Sequence, residues 1–248
     1  MAERRLNWTA GAQRLRAPTA SGAIPVIVAE PAAPVQGTVL LVHGRNGAPG
    51  QPQIDEIANS YLLRGWRVVA PELPNSAALP ESGPASKLTL AGHTRSAGEV
   101  WDWVVKQWPG DKRGLAGHSI GAYAIAHLAA ESDPHHVLAV SPPKSGLVLL
   151  SARRAMGPLA VAEVEREAPL FLAEMETADA TDAIGRITAP LAVVTGAEDG
   201  LVRLNDARAY FSAAPNGRFF AALPGEHHCP VGEACGSMLS AALAALQV

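Results

Sequence analysis

Residues 112–131 read Lys-Arg-Gly-Leu-Ala-Gly-His-Ser-Ile-Gly-Ala-Tyr-Ala-Ile-Ala-His-Leu-Ala-Ala-Glu. Lys112–Ala116 predicts a short strand, and Ile120–Glu131 predicts a helix. Between them stands Gly117-His118-Ser119-Ile120-Gly121, a G-x-S-x-G sequence in a strand–turn–helix setting. On so sharp a turn the serine hydroxyl projects above the sheet. Glycines two residues before and after it leave room where larger side chains would clash. The same order aims the backbone N–H of Ile120, at a helix N-terminus, toward an oxyanion formed at Ser119.

Outward from this turn, short apolar runs alternate with longer amphipathic stretches. Strands are predicted at Ile24–Ala29, Thr38–His43, Trp66–Ala70, His136–Val140, Leu191–Thr195 and Arg218–Leu223. The continuous Val- and Leu-rich runs suit parallel strands covered on both faces. Helices are predicted at Ile54–Arg64, Leu204–Ala214 and Gly236–Leu246. Ala97, Val100, Trp101, Val104, Val105 and Trp108 form a further stripe at helical spacing, with Thr94 and Ser96 as caps ahead of it. This alternation specifies an α/β fold with a mostly parallel sheet and helices on both faces. No internal repeat is visible.

About 50 residues separate the strand predictions ending before Ser141 and beginning after Pro190, well beyond the minimum for a crossover. Residues 147–178 carry helical periodicity through Leu159, Val164, Leu170, Phe171 and Met175. A small helical insertion or lid is therefore expected over about 145–185, within a single domain spanning 1–248. The plainer alternative is a long crossover with one extra helix.

The composition supports one sizeable core: 248 residues, 48% hydrophobic and 17% charged, which excludes wholesale disorder. A net charge of −3 argues against a general nucleic-acid binder. No apolar run reaches the roughly 18 residues of a membrane helix. The basic opening, Met1 to Arg16, leads into no apolar core segment, so no secretory leader is expected. Cys229 and Cys235 are too few for a disulfide framework. Two free thiols in a reducing cytoplasm is the favoured reading, and pairing of the two is the other.

A serine hydroxyl is a weak nucleophile at neutral pH and needs a base with an orienting acid. On a turn of this kind they follow in the order Ser, Asp or Glu, His. Gly196-Ala197-Glu198-Asp199-Gly200 follows one predicted strand, and Pro224-Gly225-Glu226-His227-His228 follows the last. Both lie at the C-terminal strand ends, where open parallel sheets place their functional edge.

With Val42-His43-Gly44, the Gly-His-Ser-Ile-Gly turn and these two loops, the chain from about residue 24 onward resembles the α/β-hydrolase superfamily. It is most similar to small bacterial serine esterases and dienelactone-hydrolase-like proteins. The dienelactone hydrolases proper carry a cysteine where this chain has Ser119. The resemblance implies Ser119 as nucleophile, Asp199, three residues after Gly196, as acid, and His228, three residues after Gly225, as base. Glu198 and His227 are the neighbours one residue off register, and Asp206 falls on a predicted helix. It further implies an oxyanion hole from the backbone N–H groups of Arg45 and Ile120, with His43 structural.

Two departures stand out. Family members often carry a small or aromatic residue where this chain has Arg45. Its guanidinium could recognise a substrate carboxylate, or turn to solvent or pair with an acid such as Glu72. The family's Asp-x-x-Gly-x-Gly is replaced by Pro71-Glu72-Leu73-Pro74-Asn75-Ser76, so residues 75–89 should line a differently shaped entrance.

The expected reaction is hydrolysis of a small carboxylic ester through an acyl-enzyme, without cofactor or metal. Alternatives are a thioester, lactone or amide hydrolase with the same triad, or a lyase, perhydrolase or binding protein on the same fold. The expected partner is a small-molecule ester, with a second copy of the chain as one option, and no nucleic acid or membrane. Gly44-x-x-Gly47-x-x-Gly50 lacks dinucleotide spacing, and His135-His136 and His227-His228-Cys229 with Cys235 lack metal-ligand spacing.

Overall fold

The computed structural model describes residues 7–20 and 22–248. The first six residues of the basic opening therefore lie outside the described residues. Eight strands form one sheet: β1 (Gln13–Thr19), β2 (Gly22–Ala29), β3 (Gly37–Val42), β4 (Trp66–Pro71), β5 (Arg113–His118), β6 (His136–Val140), β7 (Leu191–Gly196) and β8 (Gly217–Leu223). Their order across the sheet is β1-β2-β4-β3-β5-β6-β7-β8. The pairs from β4–β3 through β7–β8 are parallel, while β1–β2 and β2–β4 are antiparallel.

The sheet is covered on both sides, and strand alternation sorts the core into two layers. Val39 and Leu41 of β3, with Ala192 and Val194 of β7, face α1 (Pro52–Leu62) and α9 (Glu233–Ala245). Leu40, Val42, Leu191 and Val193 face α2 (Leu90–Gln107), α3 (Ile120–Glu131) and α8 (Leu204–Ala213). The buried stripe of α2 comprises Ala97, Val100, Trp101 and Val104. Its cap differs from expectation: the N-cap is Thr89, whose hydroxyl accepts from the Gly92 N–H at 2.9 Å. Thr94 and Ser96 lie inside the helix, which begins at Leu90, about two turns ahead of Ala97.

Strand β1 has no counterpart among the sequence-predicted strands. As an edge strand it is mostly exposed and carries Arg14 and Arg16, so it lacks the apolar run that marks central strands. Ahead of it Trp8 is buried, its indole N–H donating to the Pro49 carbonyl at 2.8 Å.

Between β6 and β7 the chain forms α4 (Gly146–Met156), α5 (Pro158–Glu167), α6 (Pro169–Glu174) and α7 (Thr181–Gly185). Prolines at the N-termini of α5 and α6, and Gly157 at φ +108°, split what would otherwise be one longer helix. Val164, Phe171 and Met175 anchor these short helices on the core, while Leu147, Met156, Leu159 and Leu170 stay exposed. No helix among the described residues is long and apolar enough to cross a membrane.

Candidate active site

Strand β5 delivers the chain into the tight turn ahead of α3. Ser119 sits there at φ 55° and ψ −127°, a region costly for any residue with a Cβ. Its backbone is pinned: the Ser119 N–H donates to the Val140 carbonyl at 2.9 Å, and the Ser119 carbonyl accepts from Ala122 at 2.8 Å. A Cβ on Gly117 would stand 2.6 Å from the Gly121 carbonyl group, and one on Gly121 would fall on the Val42 carbonyl oxygen. The sequence GHSIG is thus the local condition for the turn.

The turn after β7 places Asp199, which is 4% exposed. Its Oδ1 accepts from the N–H groups of Leu201 at 2.8 Å and Val202 at 2.9 Å. The turn after β8 uses Pro224, with its fixed φ, and Gly225 at φ +75°, and is closed by the Glu226 N–H on the Leu223 carbonyl at 3.2 Å. His228 follows. Its Nδ1 lies 2.8 Å from Asp199 Oδ2, and its Nε2 lies 2.8 Å from Ser119 Oγ. Since the carboxylate only accepts, Nδ1 carries the proton, and Nε2 accepts from the serine hydroxyl. Burial alone would raise the Asp199 carboxyl. The His228 bond and charge, with the two backbone N–H groups, outweigh it and hold the group below its ordinary value.

The off-register neighbours take other parts. His227 Nδ1–H donates to the Glu198 carbonyl at 2.9 Å, and the Glu198 N–H donates to the Glu226 carbonyl at 3.0 Å. They stitch the acid loop to the histidine loop. Asp206 begins α8 and lies outside this constellation.

Opposite Ser119, residues 44–47 form a tight turn closed by the Gly47 N–H on the Gly44 carbonyl at 3.1 Å. Asn46 has φ +53°, the positive φ that the third position of a type II turn demands. A Cβ on Gly44 would lie 2.9 Å from Ser119 Cβ, so the turn packs directly on the nucleophile. Arg45 is the next residue after that contact, and the Ile120 amide stands in the first turn of α3 with no intrahelical acceptor. His43 is structural in this arrangement. It accepts from the Leu73 N–H at Nε2 (3.1 Å) and donates from Nδ1 to the Gly44 carbonyl (2.8 Å). Burial lowers its pKa to about 4.

The Arg45 side chain does not meet Glu72, which pairs with Arg14 instead. Its Nη2 binds Glu167 of α5 at 2.6 Å, and its guanidinium lies 5.7 Å from the Phe171 ring centre. Burial and the charge of Arg153 depress its pKa, while Glu167 and Glu163 act against them. The helices between β6 and β7 make two further contacts with the rest of the fold. Glu174 accepts from the N–H groups of Leu90 and Ala91 at the start of α2, and Met156 lies against Gly200 beside Asp199. A cavity of about 520 Å³ between α2, α3 and the segment after α6 is lined by Leu90, Arg95, Tyr123, Leu128 and Glu174. No triad residue lines it.

Cys229 is exposed, and Cys235 is buried with its thiol donating to the Pro230 carbonyl at 3.4 Å, so the two are not joined in a disulfide. His136, at the far edge of the sheet, is 2.8 Å from the Tyr61 hydroxyl. Among the described residues no three His, Cys, Asp or Glu side chains converge on a metal-sized site. Sequence reasoning missed two side-chain partners of this site: His118, which meets the His228 carbonyl, and Glu167, which meets Arg45. Each depends on a contact between distant segments that no local spacing announces.

The chain has the α/β-hydrolase fold. A sequence profile described as "alpha/beta hydrolase fold" matches residues 37–141, from β3 through the turn after β6. Est1E from Butyrivibrio proteoclasticus superimposes with a TM-score of 0.73 at 15% identity, covering 94% of this chain and 98% of that one. An α/β serine hydrolase homologue from Coxiella burnetii gives 0.69 at 17% identity, covering 92% and 96%. A lidless α/β serine hydrolase from Xanthomonas campestris gives 0.66 at 19% identity, covering 95% and 92%. Among curated proteins, none matches the chain in sequence.

Proposed function

We propose that this protein is a serine hydrolase of the small-esterase type, cleaving a small carboxylic ester through a Ser119–His228–Asp199 triad. The observation that carries this reading is His228 bridging Ser119 Oγ and Asp199 Oδ2 at 2.8 Å on each side, with Ser119 held at positive φ. Two of its structural neighbours, described as α/β serine hydrolases, agree with it.

In this mechanism Ser119 Oγ attacks the ester carbonyl carbon while its proton passes to His228 Nε2. Asp199 fixes the Nδ1–H tautomer and stabilises the imidazolium. The amides of Arg45 and Ile120 bind the tetrahedral oxyanion. The C–O bond to the leaving alkoxide breaks, and His228 gives that oxygen its proton. Water, deprotonated by His228, then attacks the acyl-enzyme and releases the carboxylic acid and Ser119. Every proton moves between substrate, water and side chains of this chain. Two cysteines not joined in a disulfide fit a reducing cytoplasm as its compartment.

The test is intact-mass labelling with a fluorophosphonate, together with turnover of a chromogenic ester series. One adduct on the wild type and none on Ser119→Ala is the expected result. A well-folded wild type that takes no adduct and turns over no ester would sink the reading.

A further inference from the structure

His118 stands beside Ser119 yet carries no proton in this relay. Its ring is buried, and Nε2–H donates to the backbone carbonyl of His228 at 2.9 Å. Nδ1 is buried with no partner. Burial, with the repulsion the two rings would feel if both were protonated acting the same way, lowers its pKa to about 3. The ring therefore stays uncharged and keeps a single N–H, which its carbonyl partner fixes at Nε2. A Phe or Met side chain would fill the space and remove the unpartnered Nδ1. The one feature they would lack is that N–H.

The position of the bond gives it a consequence. Residues 226 and 227 are tied to the acid loop through the Glu198 N–H on the Glu226 carbonyl and through His227 Nδ1 on the Glu198 carbonyl. Those bonds register the histidine loop against Asp199. Against the turn at Ser119, the hydrogen bonds among the described residues are two: His228 Nε2 with Ser119 Oγ, and His118 Nε2 with the His228 carbonyl. The first must break and reform during turnover, while the second persists. The ring also backs the turn at residues 44–47, since a Cβ on Gly44 would lie 3.2 Å from His118 Nδ1.

We propose that His118 is a positioning residue: its Nε2–H clamps the His228 backbone to the nucleophile turn and so sets the distance over which the Ser119 proton moves. This inference rests on the serine-hydrolase reading above.

The test uses the full chain, p-nitrophenyl acetate turnover and the rate of fluorophosphonate labelling. His118→Phe keeps a ring and removes the donor. His118→Met keeps the length and removes the donor. His118→Gln restores an N–H at similar reach. The donorless variants should fold, lose about tenfold or more in kcat and in labelling rate, and keep KM within about twofold. His118→Gln should recover most of both rates. A purely structural role would lower the melting temperature without this split between kcat and KM and without rescue by Gln.

A folded Phe or Met variant with wild-type rates overturns the clamp, as does a Gln variant as slow as Phe. Failure of both donorless variants to fold assigns His118 to stability and overturns it too. Ser119→Ala run alongside separates the two readings. Activity surviving in Ser119→Ala overturns the hydrolase itself, whereas an inert Ser119→Ala beside an unimpaired His118→Phe overturns only the clamp.

Discussion

Gly196 and His227 meet backbone to backbone: a Cβ on Gly196 would fall on the carbonyl oxygens of His227 and Glu226. The acid loop and the histidine loop are therefore packed through a position that admits no side chain. Gly196→Ala must separate the two loops, and with them Asp199 from His228. The expected outcome is a loss of about 1–3 kcal/mol in stability from overpacking. A misplacement of about 1 Å at the triad should lower the Ser119 labelling rate by about a hundredfold. Urea unfolding and labelling kinetics measure the two effects, and wild-type labelling in a folded Gly196→Ala would contradict the coupling.

The parts legible in the sequence share a physical reason. Strands β3, β6 and β7 are buried on both faces, so each appears as an unbroken apolar run. Asp199 and His228 each follow a glycine by three residues because the backbone needs that glycine there, for close approach at Gly196 and for positive φ at Gly225. Strand β1 escaped because an exposed edge imposes no apolar pattern. Glu167 escaped as the partner of Arg45 because the two lie 122 residues apart and meet only through the folding of α5 over the turn at residues 44–47. The bond of His118 ends on a main-chain carbonyl, which every residue possesses and no motif can mark.

Asp199→Asn tests the orienting role of the carboxylate. The amide retains the shape but can present its NH2 group to His228 Nδ1, which favours the tautomer with the proton on Nε2. That tautomer cannot accept from Ser119. By the serine-protease template kcat should fall by about 10⁴-fold. The triad should remain folded, because Leu201 and Val202 can still donate to the remaining oxygen. A loss of tenfold or less would show that Asp199 does not set the tautomer.

Four buried histidines make the fold acid-sensitive. Burial lowers His43 to about 4, and His93, His118 and His136 to about 3. In the unfolded chain each titrates near 6.5. As pH falls below that value the unfolded state binds protons that the folded state refuses. Their stabilisation is therefore complete above about pH 6.5 and is lost as pH drops toward 4 and then 3. The depressed Asp199 carboxyl adds a further loss only below about pH 4. Inside the window the slope should approach about 1.4 kcal/mol per pH unit for each histidine. Urea midpoints at pH 7.5, 6.0 and 5.0 read it directly, and a flat profile would mean that these rings are not held neutral.

The Arg45–Glu167 pair joins the turn at residues 44–47 to α5, and its burial is unequal: the arginine side chain is 13% exposed and the glutamate 36%. The exposed partner is screened by solvent, so the pair itself should contribute only about 1 kcal/mol. Glu167→Gln leaves a largely buried guanidinium with a weaker acceptor and with Arg153 still repelling it. Helices α5 and α6 are short, split by prolines, and carry the exposed Leu159 and Leu170, so the ion pair adds to the few anchors, Val164 and Phe171 among them, that hold them in register. Loosening there should appear as faster proteolysis around residues 157–170, with the global urea midpoint nearly unchanged. High salt should speed the same cleavage in the wild type and have little further effect in Glu167→Gln. A double-mutant cycle with Arg45→Met separates the pair from the other contacts of Arg45, including the Phe171 ring. A coupling near zero, with equal cleavage rates at low and high salt, would show that the apolar anchors Val164 and Phe171 hold the helices down without the ion pair.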